Sequence, residues 1–188
     1  MESNRDLILD KATELFARRG YDAVGVQEIA DAAGVKKPTL YHYFGSKAGL
    51  LQTLLDENFT VLFAALEQIV YHHDLTMTLL GITRAYFDFA RRYRTFYRMQ
   101  LGMWYAPNDS QAFRAVSTSH ERQQAMLETI FSLAVEDHGN MHGRHRAYAA
   151  TFLGMLNTYI GLALNEHIVL DDVLVYQAVH QFMHGIFS

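Results

Sequence analysis

Apolar side chains recur at helical spacing from one end of this chain to the other. Ile8, Ala12, Leu15 and Phe16 stand three or four residues apart. The segment after Ser3 and Asp6 therefore reads as an amphipathic helix with a capping box at its start and Gly20 as its stop. After a connection over residues 21–25, Ile29, Ala30 and Ala33 mark a short second helix, and Leu40 and Phe44 mark a third. Gly34 supplies the positive φ that a sharp turn between those two helices needs, and Ala30 allows close approach. Pro38 fits the first turn of the third helix, where its missing N–H removes no helical bond. Gly45 closes that helix. Ser46 caps a long one, with Leu51, Leu55, Phe59, Leu62, Leu66 and Ile69 as its stripe to about residue 71. Further helices are expected over about 76–93, 109–137, 144–166 and 172–187, with a break near Arg94. Ala106-Pro107-Asn108 reads as a turn and residues 138–145 as a glycine-punctuated loop. No stretch alternates with the period of a strand, and none repeats. The chain is all-α.

The polar positions sharpen this outline between Gly25 and Leu51. A helix-turn-helix sets its second helix in the DNA major groove, with its N-terminal residues nearest the bases. Lys36, Lys37, Pro38, Thr39, Tyr41 and His42 occupy that position here. Gln27 lies on the preceding helix and Lys47 starts the following one. An ordinary helical corner with a solvated face shares the A-x-x-x-G turn but not the residues around it. Pro-Thr-Leu-Tyr-x-Tyr-Phe followed by Ser-Lys-x-x-Leu-Leu resembles the DNA-binding domain of the TetR family of one-component bacterial repressors. The resemblance runs from about Leu7 to Leu55 and includes Ala12, Leu15, Phe16, Gly20, Tyr21, Ile29 and Ala30. It implies a helix-turn-helix DNA-binding domain over residues 1–47 and a larger helical ligand-binding and dimerisation domain over residues 48–188. It also implies a homodimer that binds a palindromic double-stranded DNA operator and answers to a small-molecule effector. One departure stands out: Val24, Gly25 and Val26 replace the hydroxyl residue that usually caps the second helix and touches a phosphate.

Composition narrows the alternatives. Cysteine is absent, which excludes a disulfide framework, a thiol nucleophile and a thiolate metal site. The net charge of −4 argues against a globally basic nucleic-acid binder. Distribution matters more, because all four lysines (Lys11, Lys36, Lys37, Lys47) fall in the first 50 residues and three flank the recognition turn. No secretory signal precedes the first helix, so cytoplasmic residence is expected. No nucleophile elbow, phosphate loop or paired-carboxylate signature appears, so neither an enzyme nor a cofactor is expected.

The later helices carry the remaining expectations. Residues 147–164 contain no charge and approach the length of a membrane span, but Thr151, Asn157 and Thr158 within them favour a soluble account. Ala147, Ala150, Gly154, Thr158 and Gly161 form a stripe of small side chains that lets another helix pack close. Val175, Val179, Phe182 and Ile186 add one face of the last helix. Gly154, Thr158, Gly161, Val175, Val179 and Phe182 are therefore expected at a two-fold interface. Between the head and these helices, the chain is rich in aromatics and methionine. Phe63, Tyr86, Phe89, Met103, Trp104, Met126 and Tyr159 are the expected wall of a cavity for an apolar or aromatic effector. Arg91, Arg94 and Arg98 share a face if their helix runs on, where a solvated basic surface competes with an anion site. His138, His142 and His145 cluster in sequence, and His180 and His184 lie four apart on a helix. Without cysteine, and with the cluster in a glycine-rich loop, no metal is expected. Beside the ligand-gated repressor stand a helical small-molecule-binding or interaction module without DNA recognition, and a small helical metalloenzyme.

Overall fold

Ser3 begins the first helix as the sequence predicts. In the computed structural model, which describes residues 3–185, its side-chain oxygen accepts the Asp6 N–H at 3.2 Å. Helix α1 spans Asn4–Arg19 and buries Ile8, Leu9, Ala12 and Phe16 on one face. Gly20, at φ 79°, ends it. Helix α2 (Val26–Ala32) starts at Gly25, which offers no side-chain cap, so the missing hydroxyl is also a missing capping bond. Gly34, at φ 66°, turns the chain, and the Val35 N–H reaches back to the Ala30 carbonyl at 3.0 Å. Helix α3 (Lys37–Phe44) follows with Pro38 in its first turn.

Helix α4 (Lys47–Glu67) is held at its start by the Ser46 side chain, which accepts the Gly49 N–H at 2.9 Å. A Cβ at Gly49 would lie 2.1 Å from the Phe44 carbonyl oxygen, so only glycine fits where α3 meets α4. Helix α4 stops four residues short of the predicted end. Residues 68–74 form the connection, and Asp74 caps α5 (Leu75–Arg92) by accepting the Met77 N–H at 2.9 Å. Tyr93 breaks the helix before α6 (Arg94–Trp104), so Arg91 and Arg98 sit on separate helices rather than on one continued face. Arg91 donates to the Leu170 carbonyl and Arg94 to the Ala163 carbonyl, which ties both into the protomer. Helix α7 (Gln111–Ala134), a 3-10 turn (Gly139–Met141), α8 (His145–Leu164) and α9 (Asp172–His184) complete an all-α fold, with no strand among the described residues. Ile186, expected on the face of α9, lies outside the described residues.

The chain divides into two compact units. The first comprises residues up to Thr60 together with Thr95–His120, and the second Val61–Arg94 together with residues from Glu121 onward. This division differs from a boundary at residues 47/48. Helix α4 as far as Thr60 and α6 from Thr95 onward belong with α1–α3, with Phe59 and Phe96 in edge-to-face contact at 5.3 Å. In the second unit, Phe131 and Phe152 meet Phe182 with ring centroids 6.0 and 5.0 Å apart, and Arg84 pairs with Asp172.

Candidate nucleic-acid interface and effector cavity

The head is built by burying alternate turns of short helices. Leu40 and Phe44 anchor α3, while Lys37, Pro38, Tyr41, His42 and Tyr43 stay exposed and Thr39 is half-buried. Lys36, the residue before α3, is exposed as well. Anchoring one face of a two-turn helix this firmly fixes which side chains the other face presents. Tyr41 and Tyr43 leave 44% and 43% of their surfaces open, a large apolar exposure for a chain to maintain on a helix it could have buried. Tyr43 was not among the sequence-based candidates, although the second tyrosine of the quoted motif signals it. Gln27 on α2 is exposed, and its amide donates to Asp31 at 2.7 Å, which sets its direction along that helix.

Lys47 behaves differently from the other lysines. Its ammonium lies 4.0 Å from the centre of the Tyr21 ring and 5.9 Å from that of Phe16. Burial holds it below the usual lysine range, with Asp22 pulling the other way. A cation over two aromatic faces is positioned by them. The residue therefore joins α4 to the α1–α2 turn as well as placing a positive charge at the helix start.

The expected effector wall is scattered by the fold. Tyr86 and Met126 do line one cavity of about 210 Å³ in the second unit, with Leu66, Ile69, Ile82 and Ile130 around them. Tyr86 is fully buried, and its hydroxyl donates to Gln123 at 3.0 Å. Burial pushes that phenol far above its ordinary range, so it stays protonated and keeps donating. Glu67 also lines the cavity, and Arg122, paired with Glu67 at 2.9 Å, lies 3.9 Å over the Phe63 ring. Phe63 is thus a platform for an arginine. Phe89 packs on Tyr93, and Tyr159 meets Phe87 edge-on while its hydroxyl donates to Gln181. Met103 and Trp104 belong to the first unit. Met103 borders a separate cleft of about 320 Å³ with Phe16, Arg19 and Arg98, and Trp104 stacks on His120 with ring centroids 3.4 Å apart. Gln123, the polar group at the cavity, was not anticipated. Its signal was a lone amide in register with Met126, Leu127 and Ile130 along α7.

The expected interface residues also divide. Gly154 and Thr158 are exposed, Gly161 is half-buried, and a Cβ at either glycine would meet no atom within 4 Å. Val175 and Val179 are 3% and 1% exposed within the protomer, because α9 turns that face inward, and Phe182 sits among Phe131 and Phe152. The outward face of α9 carries Val173, Tyr176, His180 and His184 instead. Among the described residues, no three histidine, aspartate or glutamate side chains converge as a metal site.

Known proteins supply the context for this arrangement. Residues 8–54 match the family described as bacterial regulatory proteins, tetR family. The HTH-type transcriptional activator FasR of Mycolicibacterium smegmatis is 29% identical over 98% of this chain and 83% of its own length. The HTH-type transcriptional repressor KstR2 of the same species is 40% identical over 36% of this chain, a match that spans about a third (33%) of KstR2. In fold, the transcriptional regulator FadR from Bacillus subtilis in complex with stearoyl-CoA superposes with a TM-score of 0.78 at 20% identity, covering 96% of this chain and 98% of that one. The matched segment coincides with α1–α3 and the start of α4, where the exposed polar row is mounted on its buried anchors. Residues 8–54 thus carry the DNA-binding domain of the TetR family of bacterial transcriptional regulators.

Proposed function

We propose that the protein is a ligand-responsive repressor that binds a palindromic operator as a homodimer. The observation that carries this reading is the outward row on α3: Lys37, Pro38, Thr39, Tyr41 and His42 over buried Leu40 and Phe44. Lys37, Pro38 and Thr39, nearest the helix start, face bases, and Gln27 reaches a base edge from α2. Lys36, Tyr41, His42 and Lys47 contact the phosphate backbone and set the register. Two heads on one palindrome stand about 34–36 Å apart, one helical turn of DNA. The stripe of exposed Gly154 and Thr158 with half-buried Gly161 pairs with its symmetry mate to form the dimer, joined by the outward face of α9.

The effector is a small, largely apolar molecule held in the cavity lined by Tyr86, Gln123 and Met126. The apolar lining supplies affinity and the Tyr86–Gln123 pair supplies one polar anchor. Helix α4 runs unbroken from Lys47 in the head to Leu66 at the cavity, so it is the lever that couples effector to operator. The effector prefers the dimer geometry whose head spacing does not fit DNA, and it shifts the population accordingly. Cytoplasmic residence follows from the target.

Selection of DNA from a random pool by the full chain tests the reading. A two-fold symmetric consensus is expected, and it should be lost in Lys37→Ala/Thr39→Ala. Failure to enrich any sequence would overturn DNA recognition and leave the helical binding module.

A further inference from the structure

His180 and His184 stand one turn apart on α9, and both are exposed. Their ring centroids are 4.6 Å apart, and the rings are tilted by 47° rather than stacked in parallel. That separation has a meaning in coordination chemistry. A metal–imidazole bond of about 2.0–2.1 Å puts the ion about 3.2 Å from the ring centre. Two such rings at a right angle around one ion then lie about 4.5 Å apart, and at the tetrahedral angle about 5.2 Å. The observed spacing lies near both values, and rotation about the exposed side chains spans the difference, so two rings on an already folded helix stand close enough to share one ion.

The surroundings permit an ion. Val173, Tyr176 and Gln177, the neighbours on the same exposed face, bring no positive charge, and the Tyr176 ring lies 5.7 Å from that of His180. No third histidine or carboxylate joins the pair among the described residues, so the chain supplies two nitrogens and leaves the other positions open. Imidazole ligands select zinc, copper and nickel over calcium and magnesium, which prefer oxygen.

We propose that His180 and His184 form a bidentate site for a divalent transition-metal ion on α9. Water, or the same pair from a second copy of the chain, completes the coordination. The shared form rests on the homodimer reading above; the chelate itself does not.

Zinc titration of the untagged full chain, followed by calorimetry and light scattering, tests this. Saturable binding is expected at one ion per chain if water completes the site, or one ion per dimer if the pair is shared. Both His180→Ala and His184→Ala should weaken it at least about 10-fold, because each leaves a single ligand without its intramolecular second arm. Both residues are exposed, so these variants should keep the wild-type helix signal. A triple His138→Ala/His142→Ala/His145→Ala variant should bind zinc like the wild type. Absence of saturable binding, unchanged affinity in either α9 variant, or loss in the triple variant overturns the site. A zinc-binding monomer refutes the dimer and leaves the site standing; a dimer that binds no zinc refutes the site alone.

Discussion

Lys37 and Lys47 should separate two kinds of DNA contact, and the structure sets what each substitution removes. Lys37 opens α3 and is exposed, so Lys37→Ala takes away little that the fold uses. Lys47→Ala removes an ammonium 4.0 Å from the Tyr21 ring centre. That cation–π contact is worth about 0.5–1 kcal/mol at a partly exposed position. In a chain of this size the melting temperature should fall by only about 1–4 °C. The effect on DNA is larger and has its own signature. Each neutralised phosphate contributes about 0.9 to the slope of log affinity against log salt. With one contact per head and two heads, Lys47→Ala should lower that slope by about 1.8. Between 50 and 200 mM salt, the wild-type advantage should then shrink about 12-fold. Lys37→Ala should instead cost about 1–3 kcal/mol and relax base preference at one position of each half-site. Fluorescence anisotropy on the selected operator at several salt concentrations, beside thermal melts, reads both. A Lys47→Ala protein with the full wild-type slope refutes the phosphate role. Wild-type discrimination among single-base operator variants by Lys37→Ala refutes the base role.

Three further outcomes follow from the same geometry. Gly154→Leu should hold or slightly raise protomer helicity, since leucine is the better helix former by several tenths of a kcal/mol and nothing in the protomer opposes its side chain, yet it should dissociate the dimer; light scattering that still shows a dimer rejects the stripe as the interface. Gln123→Leu strands the buried Tyr86 hydroxyl and should cost about 1–3 kcal/mol in thermal or chemical unfolding, whereas Met126→Trp should fill the cavity and abolish effector response with operator affinity kept. His120 is pushed down to about 4 by burial against Trp104. Below pH 6.5 the unfolded chain therefore binds the proton first, and stability present above 6.5 is lost as pH falls towards 4, by about 1–2 kcal/mol after allowing for partial exposure. Emission from Trp104, the one tryptophan, should titrate near pH 4, and a midpoint near 6.5 contradicts the burial.

The head was legible because each of its residues has a local reason. Ser3, Gly20, Gly34, Pro38, Gly45 and Ser46 act on the backbone within three or four residues of themselves, and periodicity alone marks Ile8, Phe16, Leu40 and Phe44 as buried. The cavity was not legible in the same way. Met103, Trp104, Met126 and Tyr159 look alike as apolar or aromatic side chains at helical spacing. Which of them share a cavity depends on how α5, α6 and α7 are apportioned between two units, and no local pattern encodes that. Tyr86 and Gln123 stand 37 residues apart. Their pairing is a tertiary fact, foreshadowed only by an amide in an otherwise apolar register. Lys47 shows the same limit at short range. Its place at a helix start was readable, but the Tyr21 ring beneath it was not.

Helix α8 carries no charge from Ala147 to Leu164, and its stripe of small side chains is expected to meet another helix. The helix's inward face is Phe152, Leu153, Leu156 and Ile160, all at 2% exposure or less. Ala147, Ala150, Thr151, Gly154 and Thr158 face outward. Hydrophobic burial scales with area, so a face of glycine, alanine and threonine exposes little apolar surface while the protomer stands alone. The same small side chains let a second helix approach closely. A large apolar face would have penalised the free protomer, and a charged one would have opposed close contact. The small face avoids both, which supports the proposal that the uncharged outer face of α8 meets another copy of the chain.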